Sequence, residues 1–274
     1  MRRRATVPAR VNIIGEHTDY AGGLSLPFAI DKYLTLDAVE RKEGYSGDST
    51  VIELWKAAGG WPADLQVSSS IPPGKGLSSS AALCVAVILC ATGSNDCLAV
   101  SKEAQRIEQE VLKTPCGLLD QMAMMYAKEG YATLIDFSTE SIKHITIPDT
   151  WVFKLVDSGI HRDLSTTSYN SENPILGNHV VEENTRVESA LEASGDELGV
   201  LLNQSHESLR KIGVSLPEVD ELVNSLQTTA GVLGARMMGG GFGGMILVLV
   251  KSAEILPEVP AVGLSGPALL EEIL

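Results

Sequence analysis

The run Gly239-Gly-Gly-Phe-Gly-Gly244 puts five glycines in six residues, and seven of the chain's glycines lie between Gly231 and Gly244. Glycine loses more backbone freedom on folding than any other residue. Such a run is therefore costly unless the backbone must bend sharply or approach something that a Cβ would strike. A single tight turn needs fewer glycines, and the run has neither a G-X-Y period nor the Gly/Ser composition of a linker. Gly239, Gly241 and Gly244 formally match the dinucleotide fingerprint G-x-G-x-x-G. That fingerprint follows a strand and opens a helix, whereas this run leads into the strand-like Met245–Val250, so the dinucleotide reading is set aside. What remains is a backbone lying close to a ligand or to another backbone.

The 274 residues include 35 acidic and 21 basic side chains, a formal net charge of −14, and are 44% hydrophobic. That is enough apolar matter for a packed core, in one large domain or two small ones, and too much for a disordered chain. The acid excess argues against nucleic acid as a partner, because phosphate neutralisation needs clustered Lys and Arg, and the only basic cluster is Arg2-Arg3-Arg4. The longest apolar run, Ala81 to Ala91, is too short for a bilayer, and the basic N-terminus leads into no apolar stretch. Neither a membrane span nor a secretory leader is expected. Cys84, Cys90, Cys97 and Cys116 form no CxxC and have no histidines at metal spacing. A cytoplasmic location is therefore expected.

Strand-like segments are expected at 24–40, 65–70, 131–137 and 245–250, with one or two more within 144–156. Helices are expected from Ser79, at 98–112, at 120–126, and then as an amphipathic group at 178–193, 196–212 and 217–229. Strands first and clustered helices later indicate an α+β chain, divided into residues 1–150 and 151–274.

Three segments carry chemistry. In Pro8-Ala-Arg-Val-Asn-Ile-Ile-Gly-Glu-His-Thr-Asp-Tyr-Ala-Gly-Gly23, Glu16, His17 and Asp19 offer acceptors and a switchable donor suited to a polyhydroxylated ligand, though a solvated loop has the same composition. A metal reading is weaker, for want of a second imidazole. In Pro72-Pro-Gly-Lys-Gly-Leu-Ser-Ser-Ser-Ala-Ala82, glycines and serines open a helix, which suits an anion at the helix N-terminus or a plain capped helix. It is not a Walker A loop. The third segment is Gly234-Ala-Arg-Met-Met-Gly-Gly-Gly-Phe-Gly-Gly244. Beside these, Asp120 in Thr114-Pro-Cys-Gly-Leu-Leu-Asp-Gln121 reads locally as a helix N-cap.

In this order, together with Asn203-Gln-Ser-His-Glu-Ser-Leu209, these segments resemble the GHMP kinases, and among them the galactokinases, from about Pro8 to Val250. The resemblance implies a two-domain α+β fold. Its N-terminal domain would be ribosomal-protein-like with a left-handed crossover, its C-terminal domain ferredoxin-like, and the active site would lie between them. It implies an enzyme that uses ATP and Mg²⁺ to phosphorylate the anomeric hydroxyl of galactose. By the same resemblance Asp120 is the base that takes the sugar proton, and Arg10 pairs with it and steadies the phosphoryl group. Glu16, His17, Asp19, Gly117 and Tyr169 contact the sugar. Pro73, Gly74, Lys75, Gly76, Leu77, Ser78, Ser79 and Ser80 cradle the phosphates, and Ser80 and Glu108 serve Mg²⁺. Trp55 is read as a core residue rather than an adenine partner. The sequence departs from the family pattern at Ala9, at Met238 (threonine in the family) and in Tyr169-Asn-Ser-Glu-Asn-Pro174, where basic residues are missing. A kinase for N-acetylgalactosamine or arabinose, and a galactose/ATP-binding sensor, remain alternatives. The expected partners are a sugar and ATP, with no nucleic acid or membrane, and a monomer suffices.

Overall fold

The structure, a computed structural model, describes residues 1–160 and 174–273. In chain order the elements are β1 (Arg2–Asn12), β2 (Leu24–Ser25), β3 (Pro27–Glu40), α1 (Ser49–Ala57), β4 (Ala63–Ser69), α2 (Ser79–Thr92), α3 (Cys97–Val111) and α4 (Leu119–Met125). They continue with β5 (Tyr131–Asp136), β6 (Ser141–Thr146), β7 (Val152–Asp157), α5 (Pro174–Ala190), α6 (Gly195–Lys211), α7 (Pro217–Gln227), β8 (Val232–Met237), β9 (Met245–Val250) and β10 (Leu269–Glu272).

Alternation builds the first sheet. Ala5, Val7, Ala9 and Val11 recur at the strand period along β1 and are fully buried, and α2 packs against β1 and β3. The sheet runs β10-β1-β3-β4, antiparallel throughout. Its register shifts between Pro8 and Ala9, where Pro8 faces Tyr33 and Ala9 faces Ile30, a bulge beside a residue that cannot donate to the ladder. A second small sheet, β2-β5-β6, carries the end of the Glu16 loop. A third, β7-β9-β8, is packed by α6 and α7.

α2 is apolar all round, and nine of its side chains from Ala81 to Cys90 are buried, so it is a core helix. Among the described residues no single helix is long and apolar enough to cross a membrane. The basic cluster is used structurally. Arg3 donates to the carbonyls of Cys90 and Ala91 at the C-terminus of α2, where a cation is favoured, while Arg2 and Arg4 pair with Asp37.

One apolar cluster runs from the first sheet and α2 across to Trp151, Phe153, Leu198 and Leu247, and a smaller one lies under α7, β8 and β9. The chain's end also crosses back. Ser265 donates to the carbonyl of Ala29, and β10 pairs with β1, so residues beyond Gly263 complete the first sheet rather than the second unit. The expected division at 150/151 did not include this return, because β10 is four residues with no distinctive alternation. β1, α1 and β8 were also not expected. Arg2–Arg4 and Pro8 mask the first, β-branched residues weaken the second, and glycine interrupts the third.

The glycine run approaches backbone. A Cβ on Gly234 would strike Gly199 of α6, which lets that helix lie directly on β8. Gly241, Gly243 and Gly244 have φ of +89°, +119° and +87°, and a Cβ on Gly244 would lie 2.8 Å from the carbonyl of Lys75. The Met245 amide donates to that same carbonyl at 2.9 Å. The run thus supports the segment that opens α2.

Candidate active site

A cleft of about 1160 Å³ lies between the first sheet with α2–α4 and the second unit. The N-terminal end of α2 opens into it. Gly74 and Gly76 have φ of +69° and +76°, and Ser78, in the N-cap position, is left-handed at +59°. The Ser78 hydroxyl does not cap the helix. It donates to Asp120 Oδ2 at 2.5 Å.

Asp120 sits in the first turn of α4 behind Leu118, so it is not the N-cap that its local sequence suggested. Arg10 on β1 pairs with its Oδ1 through Nη2 at 2.7 Å and donates through Nη1 to the carbonyl of Gly76 at 2.7 Å. Arg10 is 4% exposed, while the carboxylate is 28% exposed and lines the cleft. Arg10 Nε has no partner among the described residues. A guanidinium fork therefore links the carboxylate to the glycine loop in a fixed geometry.

The loop after β1 folds back on itself. Gly15 has φ of +97°, His17 of +58°, and the Thr18 hydroxyl spans Gly15 and Leu24. Glu16 is buried. Burial pushes its carboxyl upward, but Arg236, Arg10, the Gly239 amide and Asn12 outweigh this and hold it below the usual 4.5. Arg236 Nη2 lies 3.3 Å from Glu16 Oε1, and the Gly239 amide donates to the same oxygen at 2.7 Å. His17 Nδ1 meets the Tyr20 hydroxyl at 3.1 Å. Asp19 accepts from the Leu119 amide at 3.2 Å. Burial, with Asp120 and Glu16 nearby, pushes its carboxyl up to about 6 against the backbone hydrogen bonds that favour its ionised form. Gly117 lies against it so closely that a Cβ there would collide with the carboxylate.

Ser80, in the first turn of α2, donates to Glu108 Oε1 at 2.6 Å, and Gln121 donates to Oε2 at 2.7 Å. Burial drives the Glu108 carboxyl up to about 7 despite these two donors. A buried carboxylate that cannot hold its charge comfortably, next to a hydroxyl and open to a cleft, is a donor set that a hard cation would satisfy.

The comparisons fit this geometry. The galactokinase galactose-binding signature matches residues 3–38, the GHMP kinase N-terminal domain 48–128 and the GHMP kinase C-terminal domain 187–261. A galactokinase of Thermotoga maritima is 33% identical over 90% of this chain and 89% of its own length, and one of Chloroflexus aggregans is 31% identical over 97% and 88%. The chain belongs to the galactokinase family of GHMP kinases. The crystal structure of Lactococcus lactis galactokinase complexed with galactose superposes with a TM-score of 0.84 at 24% identity, covering 98% of this chain and 95% of that one. The Methanococcus jannaschii mevalonate kinase gives 0.72 at 19%, covering 96% and 98%. The two-domain GHMP kinase fold is thus established.

Within this galactokinase-family site the expected residues are not all placed alike. The cleft is lined by Arg10, Glu16, His17, Asp19, Gly117, Asp120, Glu108 and the loop from Pro73 to Ser80, with the exception of Lys75. The Lys75 ammonium turns away and pairs with Asp157 of β7 at 2.7 Å, tying the loop to the second unit. Trp55 is core, its indole N–H donating to Trp61. Met238 is fully buried in the core, next to Gly239 and Gly240, which line the cleft. Tyr169 lies outside the described residues. Sequence reasoning missed Arg236, Gln121 and the Gly239 amide as partners. A lone arginine inside the apolar strand Val232–Met237 was the available signal for the first.

Proposed function

We propose that this protein transfers the γ-phosphoryl group of ATP to the anomeric hydroxyl of galactose, giving galactose 1-phosphate. One observation carries the reading. Asp120 is held at both oxygens, by Arg10 and Ser78, at the mouth of the glycine loop and beside the signature loop of Glu16, His17 and Asp19. Asp120 takes the proton of the sugar hydroxyl as its oxygen forms the bond to phosphorus and the bond to the departing ADP oxygen breaks. A carboxylate is a weak base for an alcohol, so positioning and charge supply most of the rate. Arg10 fixes the base, and its positive charge beside the glycine loop would steady charge gained by the phosphoryl oxygens.

The segment from Pro73 to Ser80 and the α2 terminus suit the phosphates, since two left-handed glycines keep the loop clear of Cβ atoms and the helix dipole favours an anion. Leu34, Val67, Ile71, Leu83 and Leu112 give the same cleft an apolar end suited to a purine. Ser80 and Glu108 would hold Mg²⁺, which when bound neutralises phosphate charge. Glu16, His17 and Asp19 discriminate hydroxyl positions, because an epimer leaves a buried polar group unpaired. The four cysteines are free thiols, which together with ATP use supports a cytoplasmic setting.

A coupled ADP-release assay over a sugar panel tests the reading. Galactose should turn over fastest. Turnover of N-acetylgalactosamine or arabinose alone would reassign the sugar, and binding of galactose and ATP without ADP release would make the protein a sensor.

Two expectations follow from the carboxyls. Asp19 accepts from a sugar hydroxyl more strongly as a carboxylate than as the acid, so the KM for galactose should climb as pH falls through about 6. In a pH series from 5 to 8, a flat KM would count against Asp19 as a sugar ligand. Glu108, whose folded-state carboxyl lies above its ordinary 4.5, stabilises the protein least above about 7 and progressively more as pH falls toward 4.5. Glu108→Gln should therefore stabilise the metal-free protein at pH 8 by on the order of 1 kcal/mol while lowering Mg²⁺-dependent activity. Thermal unfolding with and without Mg²⁺, alongside turnover, checks both halves.

A further inference from the structure

The backbone of the Glu16 loop is held by α5, from the second unit. His179 and Glu183 lie one turn apart on α5, and Asn184 follows Glu183. His179 Nε2 meets the carbonyl of Glu16 at 2.9 Å, Glu183 Oε1 accepts from the Gly15 amide at 3.0 Å, and Asn184 Oδ1 accepts from the Leu24 amide at 2.8 Å. A carbonyl only accepts, so Nε2 donates to it, while Nδ1 meets the Ser208 hydroxyl at 2.8 Å. Glu183 is fully buried, and both of its oxygens are engaged, Oε1 also by Ser205 at 2.6 Å and Oε2 by Arg186 at 2.7 Å. A buried ion pair adds little net stability over an apolar replacement, so its retention needs another reason. Gly23 fits the same arrangement, because a Cβ there would lie 2.8 Å from Asn184 Oδ1.

We propose that His179, Glu183 and Asn184 are positioning residues for sugar binding. They touch none of the reacting atoms. They set the main chain of residues 15–24, and with it the places of Glu16, His17 and Asp19. Without them a loop with left-handed residues at Gly15 and His17 opens locally, because such loops lie at the low-stability end of a fold. The phosphate segment is anchored by other residues, in Lys75–Asp157 and the Met245 amide, and among the described residues none of the three α5 side chains touches it.

The role assigned to sugar binding rests on the galactokinase reading, and the test separates the two. Asn184 is only partly buried, so Asn184→Ala should fold. It should raise the KM for galactose about tenfold, the worth of one hydrogen bond, with kcat and the KM for ATP little changed. Asn184→Asp, which keeps the acceptor, should restore it. His179→Gln, whose Nε2 can donate to Glu16, should likewise outperform His179→Phe. Hydrogen exchange needs no sugar: in Asn184→Ala, amides of residues 15–24 should exchange faster while those of 73–80 do not. If galactose is no substrate of the wild type, the functional reading fails and the exchange result still decides the positioning role. Unchanged exchange at 15–24 would overturn the proposal. So would equal loosening of both segments, or a rise in the KM for ATP matching that for galactose.

Discussion

Asp120→Asn should lower kcat by about 10²–10⁴-fold while galactose binding stays within about threefold, the range expected when a general base is lost from an otherwise intact site. Asparagine has the same shape. Its carbonyl oxygen can keep the 2.7 Å contact with Arg10, and the Ser78 hydroxyl can turn to accept from the new amide. The variant loses the negative charge that faces Arg10 and the capacity to take a proton. Calorimetric titration with galactose and single-turnover kinetics with ATP measure the two sides separately. Retention of more than a tenth of the wild-type kcat would remove Asp120 from the role of base. Loss of galactose binding along with kcat would make it chiefly a sugar ligand.

Arg236→Met should cost about 3–5 kcal/mol of stability, the penalty for breaking a buried ion pair from one side. The guanidinium is fully buried. It donates to the carbonyls of Ile13 at 2.8 Å, Met237 at 2.9 Å and Asn12 at 2.5 Å, and faces Glu16 at 3.3 Å. Methionine fills the space but leaves these acceptors dry and Glu16 short of its main counter-charge. Arg236→Lys should recover little, because one ammonium cannot reach acceptors spread around a planar fork. The pH dependence carries the sign. In the wild type the depressed Glu16 carboxyl gives stability that is present above about 4.5 and is lost as pH falls through its lower folded value. In the variant that contribution disappears, so acid unfolding should begin at higher pH. Urea unfolding at pH 7.5 and an acid titration would measure both. A loss below about 1 kcal/mol would mean that water or a rearranged backbone serves the carbonyls instead.

Arg236 also marks where sequence reading stops. The segment around it was recognisable as a motif, and its glycines correctly signalled close backbone approach, since a left-handed φ is a local property that glycine alone adopts freely. Asp120 and Arg10 were legible through their motifs, and the core helix α2 through its composition. Many of the residues that line the cleft were therefore grouped in short segments. Each carried its meaning in residue type and spacing, and together, in order, they were sufficient to mark the family. Several other features depended on the fold. They include the turn of Lys75 toward Asp157, the swing of Ser78 from cap to Asp120, the meeting of Ser80 with Glu108, the return of β10 to β1, and the grip of α5 on residues 15–24. Most of these join residues far apart in the chain, and no local periodicity ranks one distant partner above another. Ser78 also had an equally good local use as a helix cap. Packing of the two units placed the donors and acceptors together, and the cost of leaving a buried polar group unpaired then selected the partners.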